Sequence, residues 1–511
     1  MASPLVQVLE KLPIHPVYLL AFLSFTIILY QWLYTTTRFP SPCKLPIIGN
    51  LHQLGTLPHR SLRSLSRKHG DIMLLRLGSK PTLVVSSANV AEEIMKTHDT
   101  VFANRPKSRV GSIILYNGRD IGFSRYGDYW RQIKSICVMH MLSNKKVQFF
   151  RKIREEEVSV MVERIRESPR CMPVNLTETI ASFTNGVVSR VAFGRKYDGE
   201  EGCGNIKELL NDFSEALGTF SFGDFIPWLG WIDHISGVLC KATKVAKAFD
   251  SFIEKIVQEH IDGVNLQGRD DDDEASKGEK VQDLVDVLLE IQRNDPSLER
   301  DSIKALLLDM LAAGVETTST LLDWAMSELL MHPRTMKELK DEVRGFSNGK
   351  TIINEDDLKD MKYLKAVIKE ALRLHPPLPL LLFREPSQDV KVHNYDIAAG
   401  TQVIVNAWAI HRHPASWDQP EEFRPERFLN TSVDMMGLDF KFIPFGAGRR
   451  GCPGISFATV KAELALANLV GLFDWEVPRE MQGDSFMAES FGTSVHRRDP
   501  LMAIPTPYSR N

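Results

Sequence analysis

Pro444-Phe445-Gly446-Ala447-Gly448-Arg449-Arg450-Gly451-Cys452-Pro453-Gly454 is the stretch that decides how this 511-residue chain is read. Its glycines let backbone amides come close to the Cys452 sulfur. An apolar run compatible with a helix follows, over residues 455–473. A sulfur at a helix N-terminus, with Arg449 and Arg450 beside it, sits in positive potential. That potential favours the thiolate, the form that ligates metal. A lone cysteine is more often a buried free thiol, but the flanking pattern argues against that reading here. Zinc is a poor rival, because no second cysteine lies at ligand spacing.

Working outward, residues 301–331 form one long helical pattern closed by His332-Pro333. Its middle, Ala312-Ala313-Gly314-Val315-Glu316-Thr317-Thr318-Ser319, is weak as helix. Gly314 alone costs about 1 kcal/mol relative to Ala. Small residues there permit close approach of a flat group or a local opening. Glu316 and Thr317 offer a carboxylate and a hydroxyl for moving protons. The plainer alternative is an interior helix whose threonine hydroxyls bond back to the preceding turn. Glu370 and Arg373 stand at i and i+3 on one helix face, stopped by Pro376-Pro377.

Residues 17–34 carry no charge and are mostly apolar. As a helix they span roughly 27 Å, enough to cross the hydrocarbon core. Lys11 before the run is offset by Glu10, whereas Arg38, Lys44, Arg60, Arg63, Arg67 and Lys68 follow it. The positive-inside rule then leaves the bulk of the protein in the cytosol. A cleaved signal peptide is the weaker reading, since no A-x-A site follows. A buried core helix is weaker too, since the run lacks a polar face. Three prolines within residues 40–46 make a stiff connector.

Composition is that of an ordinary globular protein, 43% hydrophobic and 25% charged, with net charge −3. There is no global basic bias for nucleic acid. Six sparse cysteines without C-x-x-C argue against a disulfide framework and for a reducing compartment. Strands are expected at 72–77, 82–85, 390–397 and 402–406, and strand and turn at 486–507. Residues 145–166 read as a long solvated helix. The acidic stretch 268–280, with Asp270 to Asp273, reads as a solvated loop. The fold class is mainly α with small β-sheets.

The cysteine loop closely resembles the haem-binding loop of the cytochrome P450 family. The resemblance extends over essentially the whole chain and comes in family order: anchor, proline hinge, Tyr129-Trp130-Arg131-Gln132-Ile133-Lys134, the Ala313–Thr317 segment, Glu370-Ala371-Leu372-Arg373, Phe423-Arg424-Pro425-Glu426-Arg427-Phe428, then Cys452. Lys44-Leu45-Pro46-Ile47-Ile48-Gly49-Asn50 and Trp228-Leu229-Gly230-Trp231-Ile232-Asp233 resemble the plant A-type branch, the seventy-one clan. The resemblance implies a cytochrome P450 fold with a single N-terminal transmembrane helix. Residues 1–37 would be the anchor, 38–46 the hinge and 47–511 the haem-thiolate catalytic domain.

It further implies haem b (iron protoporphyrin IX) with Cys452 as axial thiolate, a ligand that promotes O–O cleavage. Trp130, Lys134, Arg384, Phe445 and Arg450 would hold the cofactor, with Lys134 standing where many relatives have arginine. Thr317 would be the hydroxyl that meets oxygen and Glu316 its acid neighbour. Glu370, Arg373 and Arg427 would form a buried charged triad. The substrate pocket would include Ala313, Leu380, Leu381 and Phe491, under a roof at 209–238 with Phe213, Phe220, Phe222 and Phe225. No buried charge is expected in that pocket. Phe383 stands where many plant relatives have proline, and His411-Arg412-His413-Pro414 looks peripheral.

The implied activity is an NADPH-dependent monooxygenase on the endoplasmic reticulum membrane, single-pass and facing the cytosol. It would draw electrons from NADPH–cytochrome P450 reductase, use O2 and hydroxylate a small hydrophobic metabolite, first of all a terpenoid. The alternatives are C–C cleavage, desaturation or coupling of a coumarin-like or other aromatic metabolite by the same haem chemistry, and a silent haem-binding protein.

Overall fold

The Arg300–Met331 helix is apolar on almost every side, and the fold is assembled around it. A helix without a polar face must be enclosed. In the computed structural model the Leu176–Phe193 helix crosses it, and Ile455–Leu472 and Lys362–Leu374 pack beside it. The structure describes residues 39–169, 171–197, 206–267, 282–347, 349–481, 483 and 485–508, together with 18–20, 22–24 and 26. Gly314 explains the crossing: a Cβ there would come within 3.2 Å of Val188 Cγ2. The glycine that weakens the helix in isolation therefore lets a second helix approach.

The sheets are small and peripheral. Ile72–Leu77 and Lys80–Val85 form an antiparallel pair, and Gln402–Val405 adds in parallel to the second strand. Val174–Asn175, Met502–Pro507 and Phe473–Glu476 make a second three-stranded sheet. Val390–Val392 with Tyr395–Ile397, and Glu489–Phe491 with Val495–Arg497, are two-stranded. The mainly helical reading with small sheets holds, and the helix expected at 301–331 begins one residue earlier.

The 145–166 segment is neither one helix nor solvated. It breaks at Phe150 into Asn144–Phe149 and Arg151–Arg166. The second piece buries Val158, Met161, Val162 and Ile165 against the core. Its Arg154 is fully buried because Glu355 takes Nε at 2.6 Å and Nη2 at 2.9 Å. Pairing allows a charged sequence to enter an interior. Most of the expected anchor and the 268–280 loop lie outside the described residues; positions 18–20, 22–24 and 26 are helical. Two described helices, Arg300–Met331 and Ile455–Leu472, are long and apolar enough to span a membrane, but both are mostly buried in the core.

The C-terminal end of the central helix is tied by Glu328. Its carboxylate meets His375 Nε2 at 2.6 Å and His332 Nδ1 at 3.3 Å. Trp324 stacks on the His375 ring at 4.2 Å. Burial opposes the Glu328 charge, but hydrogen bonds from His332 and His375 outweigh it and draw the pKa from 4.5 to about 2. A depressed carboxylate stabilises the fold above its unfolded pKa, and that stabilisation is lost as pH falls through the folded value. The contribution is roughly 3 kcal/mol. Glu328→Gln is expected to lower the thermal midpoint near neutral pH and to flatten its fall between about pH 5 and pH 3, measured by circular dichroism. An acid limb identical to wild type would refute this assignment.

Candidate active site

A cavity of about 320 Å³ lies between the central helix and the cysteine loop. Cys452 opens onto it rather than being packed over. The loop is shaped by close approaches that only glycine allows. Gly448 has φ +69°, and a Cβ there would sit 2.2 Å from Met95 O. The Cys452 amide donates to Phe445 O at 3.0 Å. Gly454 N donates to Cys452 Sγ at 3.3 Å, and Lys134 Nζ to Gly451 O at 2.9 Å. Burial raises the thiol pKa; the Gly454 amide and Lys134 oppose it.

The two arginines beside Cys452 do not supply the potential expected of them. Arg450 turns away to Ala103 O at 2.7 Å and Ser124 O at 2.5 Å, with its guanidinium 4.2 Å from the Trp130 ring. Arg449 faces Asp99 at 3.7 Å. Sequence neighbours of a thiol need not point at it, because a tight turn sends successive side chains in different directions.

Three guanidiniums crowd one side of the cavity: Arg384, Arg450 and Arg105, the last unforeseen from sequence. Arg105 donates to Gly122 O, Leu382 O and Phe383 O, each at 2.8 Å. Arg384 Nη2 donates to Ala447 O at 2.8 Å. Its Nη1 stands 3.6 Å from Asp99 Oδ1 and makes no hydrogen bond. Burial brings Arg384 and Arg450 down to about 10, and mutual repulsion adds to the effect at Arg450. Cations held mainly by carbonyls, one with an orphaned nitrogen, suit a ligand that brings its own carboxylates. With Trp130, Lys134, Phe445 and an open sulfur on the same wall, these residues fit a haem with two propionates.

On the central helix, Ala313, Gly314, Glu316 and Thr317 all reach the cavity wall. Thr317 Oγ1 donates to Ala313 O at 2.7 Å, the back-bond of an ordinary interior threonine. Glu316 does not pair with it. Its Oε1 accepts from Ser494 N at 3.2 Å and Ser494 Oγ at 2.5 Å, and its Oε2 accepts from Ser214 Oγ. The carboxylate thus ties the helix to the Ile206–Gly218 roof helix and the C-terminal turn.

The expected pocket residues divide. Ala313 and Leu381 line the cavity, as do Phe213 and Met310. Leu380 does not; it packs into a separate cluster with Leu62 and Leu75. Phe491 is 41% exposed, because it lies on the short Glu489–Phe491 strand while Thr493 and Ser494 of the following turn face inward. Phe220 and Phe225 stack on each other at 5.1 Å away from the wall. Phe383 lies off the wall as well, between the lining residues Leu382 and Arg384. An ionisable group not foreseen in the pocket, Asp309, lines the cavity and accepts from Ile121 N at 2.7 Å. Burial and the neighbouring Asp120 push its pKa well up, which favours the neutral acid.

Behind the loop the structure brings Glu370, Arg373 and Arg427 together. Arg373 meets Glu370 at 2.7 and 2.9 Å, and Arg427 Nε meets it at 3.0 Å. Arg373 Nη1 also donates to His411 O at 2.8 Å. His411 is fully buried, not peripheral, and its Nε2 accepts from Ile443 N at 2.9 Å, immediately before the cysteine loop. Burial, with Arg373 and Arg412 nearby, holds His411 neutral, its pKa drawn down to about 3. Nothing in the sequence marked it as a buried link to the cysteine loop. His411→Ala is expected to strand the Ile443 amide and cost about 1–3 kcal/mol, read as a lowered midpoint in thermal unfolding; an unchanged midpoint would count against this link.

A family model described as Cytochrome P450 matches residues 39–502. "Cytochrome P450 71A4" of Solanum melongena is 49% identical, over 96% of this chain and 98% of that one. "Cytochrome P450 736A117" of Prunus mume is 48% identical, over 99% and 100%. "Norfluorocurarine oxidase" of Strychnos is 48% identical, over 95% and 96%. A solved zebra fish cytochrome P450 structure with abiraterone superposes with TM-score 0.73 at 25% identity, covering 89% of this chain and all of that one.

Proposed function

The chain belongs to the cytochrome P450 family, among plant relatives of the seventy-one clan, and from that premise we propose that it hydroxylates a small hydrophobic plant metabolite, first of all a terpenoid. As a member it is a monooxygenase, an oxidoreductase that uses haem with a cysteine thiolate, O2 and electrons passed from a reductase. The observation that carries the substrate reading is the cavity wall. Its apolar part is built from residues that include Ala313, Met310, Phe213, Leu381 and Leu382. Such a wall excludes water and holds an apolar molecule by shape.

Cys452 would hold the haem iron through its sulfur, with the Gly454 amide steadying the thiolate charge. Arg105, Arg384, Arg450, Trp130 and Lys134 would hold the propionates, and Phe445 would pack against the ring. Bound there, haem supplies the oxygen-activating chemistry that no side chain can. Thr317 would serve the oxygen side by exchanging its bond to Ala313 O for one into the cavity. Glu316, anchored between Ser214 and Ser494, would supply the acid neighbour once the roof releases it. Glu370, Arg373 and Arg427 are structural in this reading and keep the loop in register. Residues 1–37 anchor the chain in the endoplasmic reticulum membrane, 38–46 act as a hinge, and 47–511 face the cytosol as the catalytic domain.

An alkaloid-like substrate is the second reading. It is favoured by the Strychnos relative and by the Asp309 carboxyl on the wall. The test is product analysis by mass spectrometry, using membranes that carry this protein and a plant reductase, fed pooled terpenes, coumarins and indole alkaloids with and without NADPH. The expected result is an NADPH-dependent terpene product heavier by one oxygen. It should vanish in Cys452→Ala and fall at least about 10-fold per NADPH in Thr317→Ala. A product short of two hydrogens or a carbon fragment would replace hydroxylation with desaturation or cleavage. Turnover of alkaloids alone would replace the terpene reading.

A further inference from the structure

The acid expected beside Thr317 points to the roof, but a buried amine reaches the same stretch of helix from the opposite side. Lys461, on the Ile455–Leu472 helix, has no exposed surface, and its Nζ donates to Gly314 O at 2.6 Å. It also reaches the cavity wall. Gly314 lies three residues before Thr317, next to the Ala313 carbonyl that Thr317 Oγ1 holds. Adjacent carbonyls at this point are thus claimed by two side chains, one from within the helix and one from its neighbour.

Nothing nearby cancels the charge. Among the described residues no carboxylate lies within ion-pair reach of Lys461, while the Phe457 ring is 5.2 Å away. Arg154, facing it from the Arg151–Arg166 helix, is a like charge already matched by Glu355. Glu316 on the central helix is turned to Ser214 and Ser494. Glu463, two residues along the same helix, is influenced by Lys365 and Lys369. A fully buried ammonium with one acceptor is costly where a methionine would pack at no such cost. Burial, and Arg154 after it, draw the Lys461 pKa from 10.5 to about 7.

We propose that Lys461 is a positioning residue for the oxygen side of the site, gripping the Gly314 carbonyl so that the backbone beside Thr317 holds the register in which its hydroxyl can serve the cavity. The inference rests on the haem-thiolate reading above. The grip is charge-assisted and stronger for the ammonium than for the neutral amine. Below about pH 7 electron use should be tightly coupled; above it the helix loosens and reduced oxygen escapes as hydrogen peroxide.

The experiment uses the full chain in membranes with a plant reductase. Wild type, Lys461→Met and Lys461→Gln are compared for the carbon-monoxide difference spectrum, and for peroxide released per NADPH from pH 6 to 8. Wild type should release more peroxide per NADPH above about pH 7 than below it. Lys461→Met should release at least about 3-fold more at pH 6 with no inflection. Lys461→Gln, which keeps a donor but cannot titrate, should keep a low ratio, also without inflection. Glu463, raised to about 7 by burial, is intact in both variants, so an inflection that persists in them belongs to it and overturns the proposal. Wild-type ratios in Lys461→Met overturn it too. Loss of the thiolate spectrum in both variants alone would show that Lys461 serves core assembly and overturn it. Absence of that spectrum in wild type would instead sink the haem-thiolate reading.

Discussion

A single buried carboxylate, Glu370, organises the irregular half of this molecule. It receives Arg373 through two nitrogens, Arg427 through one and the Arg424 amide besides. Arg373 then spends its other hydrogens on the carbonyls of His411, Pro420 and Glu422. A charge taken out of water must have every lone pair and hydrogen met. Meeting them freezes a stretch of chain with little regular structure, and His411 passes the constraint to Ile443 and so into the cysteine loop. Such a cluster is a poor source of net stability but a strict source of geometry, because few arrangements satisfy it.

The central helix works under a different constraint. It is enclosed, so each polar group on it must find a protein partner. Thr317 takes Ala313 O, Glu316 takes the serines of the roof and the C-terminal turn, and Gly314 O takes Lys461. In this state the chemically useful groups are all engaged in holding the fold. Work on a substrate would require some of these bonds to exchange. The ones that join separate elements, at Glu316 and Lys461, couple the cavity's chemistry to how its roof and floor are seated.

The cavity pairs an apolar wall with a cationic side. The guanidiniums of Arg105, Arg384 and Arg450 repel one another, and they lean on carbonyls more than on acids. Burial raises both Asp120, to about 6 against the pull of Arg105 and Arg450, and Asp309, where the neighbouring Asp120 adds to the rise and the neutral acid is favoured. Opposed clusters of this kind mark a site completed by something it binds.

Element types and the order of functional segments were legible from sequence, because they depend on local signals. The proline after His332 ended the long helix, the alternation of apolar residues marked the strands, and the glycines announced a tight loop at Cys452. The triad partners were legible through resemblance. What the sequence could not reveal was direction. Whether Arg450 faces Cys452 or Trp130, whether Phe491 or Thr493 lines the cavity, and whether Glu316 reaches Thr317 or the roof depend on neighbours more than a hundred residues away. Arg154 and His411 read as solvated or peripheral residues, and nothing singled out Lys461, since charge in a sequence says nothing of the partner that allows its burial. The sequence by itself determined the chemistry on offer: a thiol in a glycine loop, a hydroxyl and an acid on one helix, and the arginines Arg384 and Arg450. Tertiary structure alone decided which of these groups meet, because hydrogen bonds and ion pairs form across distances that only packing sets.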